Sequence, residues 1–146
     1  MTSPQPIAPG RRILALDPGE ARIGVAVSDE LGAFAHPRPA IPARDLPAAV
    51  AAIADLVMRE GIAEVIVGLP LTLSGERGAQ ALAVEPLLRE LRAKLPIPVT
   101  TADERLTTAQ AARQAPRAAR RRDGSLDSLA AALLLQSILD ARRGRP

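Results

Sequence analysis

Two short apolar runs, separated by an acid and a turn, constrain this chain more than any other feature. Ile13-Leu14-Ala15-Leu16 ends in Asp17 and breaks at Pro18-Gly19, and the apolar pattern resumes from Ile23 to Val27 before Ser28 and Asp29. Runs of this length bounded by Pro and Gly read as strands joined by a tight turn. Asp17 then stands at the mouth of a buried strand. A carboxylate there costs free energy unless a cation, a donor or water receives it.

The chain has enough material to cover these strands. Its 146 residues are 47% hydrophobic and 24% charged, the balance of one globular domain with a real core. With no cysteine, disulfides and thiolate metal sites are excluded. No apolar run approaches the roughly 18 residues of a membrane span. The segment Met1 to Arg12 is Pro-rich and lacks an apolar signal core, so a cytoplasmic protein is expected. A single domain over 11–142 is expected, with flexible tails at 1–10 and 143–146.

Further elements follow in order. Asp29-Glu30-Leu31-Gly32 reads as a hairpin turn, and Ala33 to Ile41 as a third strand that Pro37 and Pro39 confine to edge pairing. Asp45 is a good N-cap for a helix from Leu46 to Arg59, which Gly61 stops. Ala63 to Gly68 is a β-branched strand, apolar on both faces as in a covered parallel sheet. Leu71 to Gly78 reads as a loop, Ala79 to Leu95 as a helix, and Pro96 to Ala102 as a short strand ending in Asp103-Glu104-Arg105. Thr107 or Thr108 opens a helix to Gln114, and Arg113 to Asp123 is a basic loop. Ser125 caps a last helix to Ala141, with Leu126, Leu129, Leu133 and Ile138 as its expected inner stripe. Strands in a meander followed by strands alternating with helices predict an α/β fold, a mixed sheet covered by helices.

Charge is distributed unevenly. Met1 to Glu104 carries 10 basic and 13 acidic residues, whereas Arg105 to Pro146 carries 9 basic and 3 acidic. A basic C-terminal third fits either polyanion binding or a solvated arginine face. Phe34 is the only aromatic residue, so base stacking on aromatic platforms is excluded as a dominant binding mode. Any nucleic-acid contact must rest on phosphates and shape. The lone His36 lacks partner histidines and reads as a surface or filler residue.

Three acidic sites fall at element ends: Asp17, the Asp103-Glu104 pair, and Asp127 in the first turn of the last helix. Ends of parallel strands meet at one edge of an α/β sheet, where such sheets bind ligands. Carboxylates gathered there favour Mg²⁺ or Mn²⁺, and two ions about 3.5–4 Å apart can clamp both oxygens of a phosphodiester displacement. Simpler roles exist for each acid. Asp127 also suits the helix dipole, Asp17 a turn, and only one of Asp103 and Glu104 can face a given side of a strand.

These residues resemble a known family. Leu16-Asp17-Pro18-Gly19 with Arg22-Ile23-Gly24-Val25-Ala26 looks like the first motif of the YqgF/RuvX family. The likeness continues through Val65-Ile66-Val67-Gly68-Leu69-Pro70, Asp103-Glu104-Arg105-Leu106-Thr107-Thr108 and Asp127-Ser128-Leu129-Ala130-Ala131. The family is described as pre-16S ribosomal RNA nucleases and as Holliday-junction-resolvase-like, with a ribonuclease H-like fold. The resemblance implies a five-stranded mixed sheet, its first three strands antiparallel, flanked by helices on both faces. It implies Asp17, Glu104 and Asp127 as catalytic, metal-binding acids, with Asp103 as the alternate to Glu104. Gly68-Leu69-Pro70 stands where related resolvases place a further acid. Thr72, Ser74, Arg77 and Arg105 are candidate phosphate contacts near the scissile bond, and Arg117, Arg120, Arg121 and Arg122 are candidates farther out.

The expectation is therefore a Mg²⁺- or Mn²⁺-dependent endonuclease on structured nucleic acid, acting at the 5′ end of pre-16S rRNA, with no membrane or nucleotide cofactor involved. A branched DNA junction suits the same site. An assembly factor that binds RNA without turnover is a second class. An ATP-binding module would need two closing domains, for which 146 residues are too few.

Overall fold

A computed structural model describes residues 11–69, 84–103 and 125–144, with side chains in the last segment from Ser128 onward. It contains strands β1 (Arg12–Pro18), β2 (Arg22–Ser28), β3 (Ala35–Pro42), β4 (Ile62–Leu69) and β5 (Val99–Asp103). Its helices are α1 (Leu46–Glu60), α2 (Glu85–Lys94) and α3 (Ser125–Arg142). The strands form one sheet in the order β3-β2-β1-β4-β5, antiparallel across β3, β2 and β1 and parallel across β1, β4 and β5. This is the expected five-stranded mixed sheet.

The sequence explains why β1 is central. Leu14, Ala15 and Leu16 are fully buried, because side chains alternate between two faces that are both covered. On one face Leu14, Leu16, Val25, Val27, Val65 and Val67 pack with Val50, Ile53, Leu87 and Leu91 of α1 and α2. On the other, Ile13, Ala15, Ala26 and Ile66 pack with Ala131, Ala132, Leu135 and Leu139 of α3.

Local signals hold α1 and the turns in place. Asp45 accepts a hydrogen bond from Ala48 N at 3.1 Å, and Gly61 ends α1 in the left-handed region at φ 64°. In the β1–β2 turn Gly19 N donates to Arg22 O at 2.9 Å, and a Cβ on Gly19 would meet that same oxygen at 2.9 Å. The Asp29 carboxylate closes the β2–β3 turn by accepting from Ala33 N at 2.8 Å and Phe34 N at 3.1 Å.

Two expectations are corrected. The fifth strand starts at Val99 and not at Pro96, since proline has no N–H to give a ladder; Pro98 contributes only its carbonyl, which accepts from Val65 N at 2.9 Å. The inner stripe of α3 is rotated from the one chosen by residue size. Leu129 is 42% exposed and Leu133 and Ile138 are half-buried, whereas Ser128, Ala131, Ala132, Leu135 and Leu139 face the sheet. Large apolar residues surround this helix on most sides, so size cannot mark the packed face; alanines do, because they let the helix lie close on the strands. The side chain of Leu126, the expected loop 71–78, the helix from Thr107 or Thr108 and the basic loop 113–123 lie outside the described residues, as does the start of the helix expected from Ala79. Among the described residues no helix is long and apolar enough to cross a membrane.

Leu135→Ala should cost about 2–5 kcal/mol of stability, because it opens a cavity under α3. Leu129→Ala should stay within about 0.5 kcal/mol. Urea denaturation of both variants checks the assignment.

Candidate nuclease site at the edge of the sheet

Asp17 is the last buried residue of β1 and is only 4% exposed, with Oδ1 showing less than 1 Å² to solvent. Alternation with Ile13 and Ala15 puts it on the face covered by α3. Its partner in β2 is Gly24. On the other side, one residue past the Leu16–Val67 pair, it comes level with Gly68 of β4, which is itself paired with Ala102 of β5. The buried carboxylate thus has a glycine beside it on both flanking strands. Neither glycine has a positive φ, so backbone conformation alone does not call for glycine at either place. Neither flanking strand therefore sets a side chain beside the carboxylate.

α3 brings its N-terminal end to the same edge. Ser128 hydrogen-bonds Val25 and Arg38, one residue from the Asp17–Gly24 level. Farther along α3, Gln136 donates to Ala33 O at 2.9 Å and accepts from Ala35 N at 2.9 Å, at the opposite edge of the sheet. Arg142 reaches Glu64 at the start of β4, at 2.7 and 3.1 Å. The helix therefore runs away from Asp17, and the turn bearing Asp127 lies at the Asp17 end.

The alternation of β5 sets the face of Asp103. Ala102 packs with the α3 cluster, so Asp103, paired with Leu69, belongs to the face of α1 and α2, opposite to Asp17. Asp103 does not share a face with Asp17. The side chain of Asp127 lies outside the described residues, as do Glu104, Thr72, Ser74, Arg77, Arg105, Arg117, Arg120, Arg121 and Arg122. Among the described residues no three acids or histidines form a metal-ligand group. His36 is exposed on β3 beside Val27, away from this edge.

A cavity of about 320 Å³ opens at the same edge but on the other face, lined by Pro18, Gly19, Ile23, Leu46, Val84 and Leu87 among others. Among the described residues that line it Glu20 is the only acidic or basic one, and the cavity belongs to the packing of α1 and α2 rather than to the carboxylate.

Residue-type reasoning passed over Gly24, Gly68 and Ser128. The signals were present: a glycine within each apolar strand at the level of the acid, and a serine inside an apolar helix directly after Asp127. A divalent cation fits the described part of this edge. A hard oxygen donor is held out of water, both strands beside it carry glycine, and a positive helix end lies nearby. Replacing Gly68 by valine should leave the fold cooperative while weakening Mn²⁺ binding by about tenfold or more, the order expected when a ligand's surroundings are disturbed. Calorimetric titration of both proteins gives the ratio.

The family described as "RuvX: Holliday junction resolvase" matches residues 11–141. A protein of Chloroflexus aggregans (strain MD-66 / DSM 9485), named "Putative pre-16S rRNA nuclease", is 44% identical over 135 residues, covering 90% of this chain and 94% of its own. One of Moorella thermoacetica (strain ATCC 39073 / JCM 9320) with the same name is 45% identical over 132 residues, covering 88% and 94%. The solved structure of T. thermophilus RuvC in complex with Holliday junction substrate aligns over 91% of this chain and 96% of that one, with a TM-score of 0.57 at 19% identity. That likeness, with the observed sheet order, shows a ribonuclease H-like fold. The match over residues 11–141 and the identities of 44–45% establish that the chain belongs to the RuvX family.

Proposed function

We propose that this protein is a metal-dependent endonuclease that hydrolyses phosphodiester bonds in structured nucleic acid, acting in the cytoplasm on the 5′ end of pre-16S rRNA. The observation that carries this reading is the carboxylate of Asp17, 4% exposed at the end of the central strand and flanked by Gly24 and Gly68. A carboxylate withdrawn from water at a strand end is a hard oxygen donor suited to a cation. The names of the relatives from Chloroflexus aggregans and Moorella thermoacetica support the substrate.

Asp17, Glu104 and Asp127 would hold Mg²⁺ or Mn²⁺, as a pair of ions. Glu104 is preferred over Asp103, whose strand position belongs to the face opposite to Asp17 and whose side chain is the shorter of the two. Bound there, the ions would supply positive charge to the attacking and leaving oxygens of an in-line displacement that yields a 5′-phosphate and a 3′-hydroxyl. The chain's own contribution is to orient the carboxylates, keep water out behind them with the α3 packing, and grip phosphates. Arg105, Thr72, Ser74 and Arg77 serve near the scissile bond, and Arg117, Arg120, Arg121 and Arg122 hold the backbone farther out.

One observation favours a second reading. The β4 residue level with Asp17 is Gly68, which offers no carboxylate to the site, and a site with fewer ligands suits an assembly factor that binds RNA without cutting it.

The test incubates the protein with Mn²⁺ or Mg²⁺ and a precursor 16S 5′-end RNA, a four-way DNA junction or a plain duplex. Asp17→Asn should lower cleavage by about a hundredfold or more, the order seen when one charge-stabilising group is lost, and leave binding in place. The preferred substrate decides between rRNA and branched DNA. Binding without cleavage, equal in both proteins, would establish the assembly factor instead.

A further inference from the structure

One hydroxyl stands where a backbone group would ordinarily be. Along β2 and β3 the ladder pairs Ile23 with Ile41 and then Val25 with Arg38, so two steps on β2 are matched by three on β3. An extra residue on one strand opens the ladder locally and leaves polar groups to be satisfied by other means. Pro39, inside the opened stretch, has no N–H to offer. Ser128, fully buried on α3, fills the gap: its Oγ accepts from Val25 N at 3.1 Å and donates to Arg38 O at 2.6 Å. A hydroxyl is the smallest side-chain group that donates and accepts at once, so a single serine bridges the two strands.

Both strands are firm at this point. The Arg38 guanidinium donates to Glu60 at the end of α1 at 3.0 and 2.8 Å, and this pairing holds the Glu60 carboxyl below its usual range. Val25 stands opposite Leu16 in β1, and the adjoining Gly24 stands opposite Asp17. Ser128 therefore fixes the first turn of α3 to the sheet one residue from Asp17, and Asp127 immediately precedes it in that turn.

We infer that Ser128 is a positioning residue of the metal site, a hydroxyl inserted into the β2–β3 ladder that sets the height and rotation of Asp127 relative to Asp17. The inference rests on the nuclease reading above. Alanine at this position removes the bridge and leaves Val25 N and Arg38 O buried without it. Cysteine keeps nearly the same shape with a much weaker hydrogen-bonding group.

The experiment compares full-length wild type, Ser128→Ala, Ser128→Cys, Asp17→Asn and Ile13→Val. The last trims β1 at its far end and serves as the stability control. Free Mn²⁺ is followed by electron paramagnetic resonance, melting is measured in EDTA, and amide exchange is recorded at Val25. The expected result is a cooperative melt for Ser128→Ala, lowered by a few degrees as in Ile13→Val. Val25 exchange should be at least about tenfold faster, and the Mn²⁺ dissociation constant at least about tenfold higher, with Ile13→Val within about twofold of wild type. Ser128→Cys should fall between, and it carries the comparison if the alanine variant does not fold. Wild-type Mn²⁺ affinity in the serine variants, or equal weakening in Ile13→Val, would overturn the positioning role. Absence from the wild type of a Mn²⁺ site that Asp17→Asn abolishes would overturn the metal-site reading itself.

Discussion

A carboxylate buried at the end of the central strand is the constraint around which this structure is arranged. β1 is covered on both faces, and Asp17 is its last buried position, 4% exposed. An ionised group withdrawn from water is costly unless oppositely charged or donating groups compensate. The surroundings are arranged for the charge nonetheless. Both flanking strands carry glycine at its level, and α3 points its N-terminal end, the positive end of its dipole, toward the same edge. Each feature is weak evidence of a cation site alone, but they converge on one side of one strand.

The approach of α3 turns this edge into a defined geometry. Its sheet-facing side is Ser128, Ala131, Ala132, Leu135 and Leu139, small near the site and larger away from it. Small residues allow close approach, while polar anchors remove the freedom to slide: Ser128 at one end, Gln136 midway and Arg142 at the other. The Arg142–Glu64 pair is partly exposed and worth little energetically, yet bidentate geometry still specifies a position. The helix is thus registered on the sheet at three points, and the turn that bears Asp127 inherits that registration.

How much of this was legible in the sequence depended on how local the cause was. The β1–β2 turn, the Asp45 and Gly61 caps of α1 and the Asp29 turn follow from residues within a few positions of one another, and they were read directly. Membership of the sheet and its mixed order followed from the apolar runs and from motif resemblance together. The rotation of α3 differs from the expected one because Leu129 and Leu133 are larger than the alanines that actually pack, and contact with a sheet rewards closeness over size. A serine inside an apolar helix is visible in the sequence, but its role is not, because its partners lie 103 and 90 residues away, at an irregularity that appears only once β2 and β3 are paired. The face of Asp103 could be assigned only when Ala102 was seen against α3, which fixed the parity of β5.

The central claim is that the edge at Asp17 gathers a divalent cation from β1 and α3 together. It is tested most directly by a crystal grown with Mn²⁺ and measured for anomalous scattering. The account predicts a Mn²⁺ peak about 2.1 Å from an oxygen of Asp17, the distance of a small octahedral cation from a hard ligand, with Asp127 as a second ligand. A map at saturating Mn²⁺ with no peak beside Asp17, or with Asp127 turned away from it, would contradict the account.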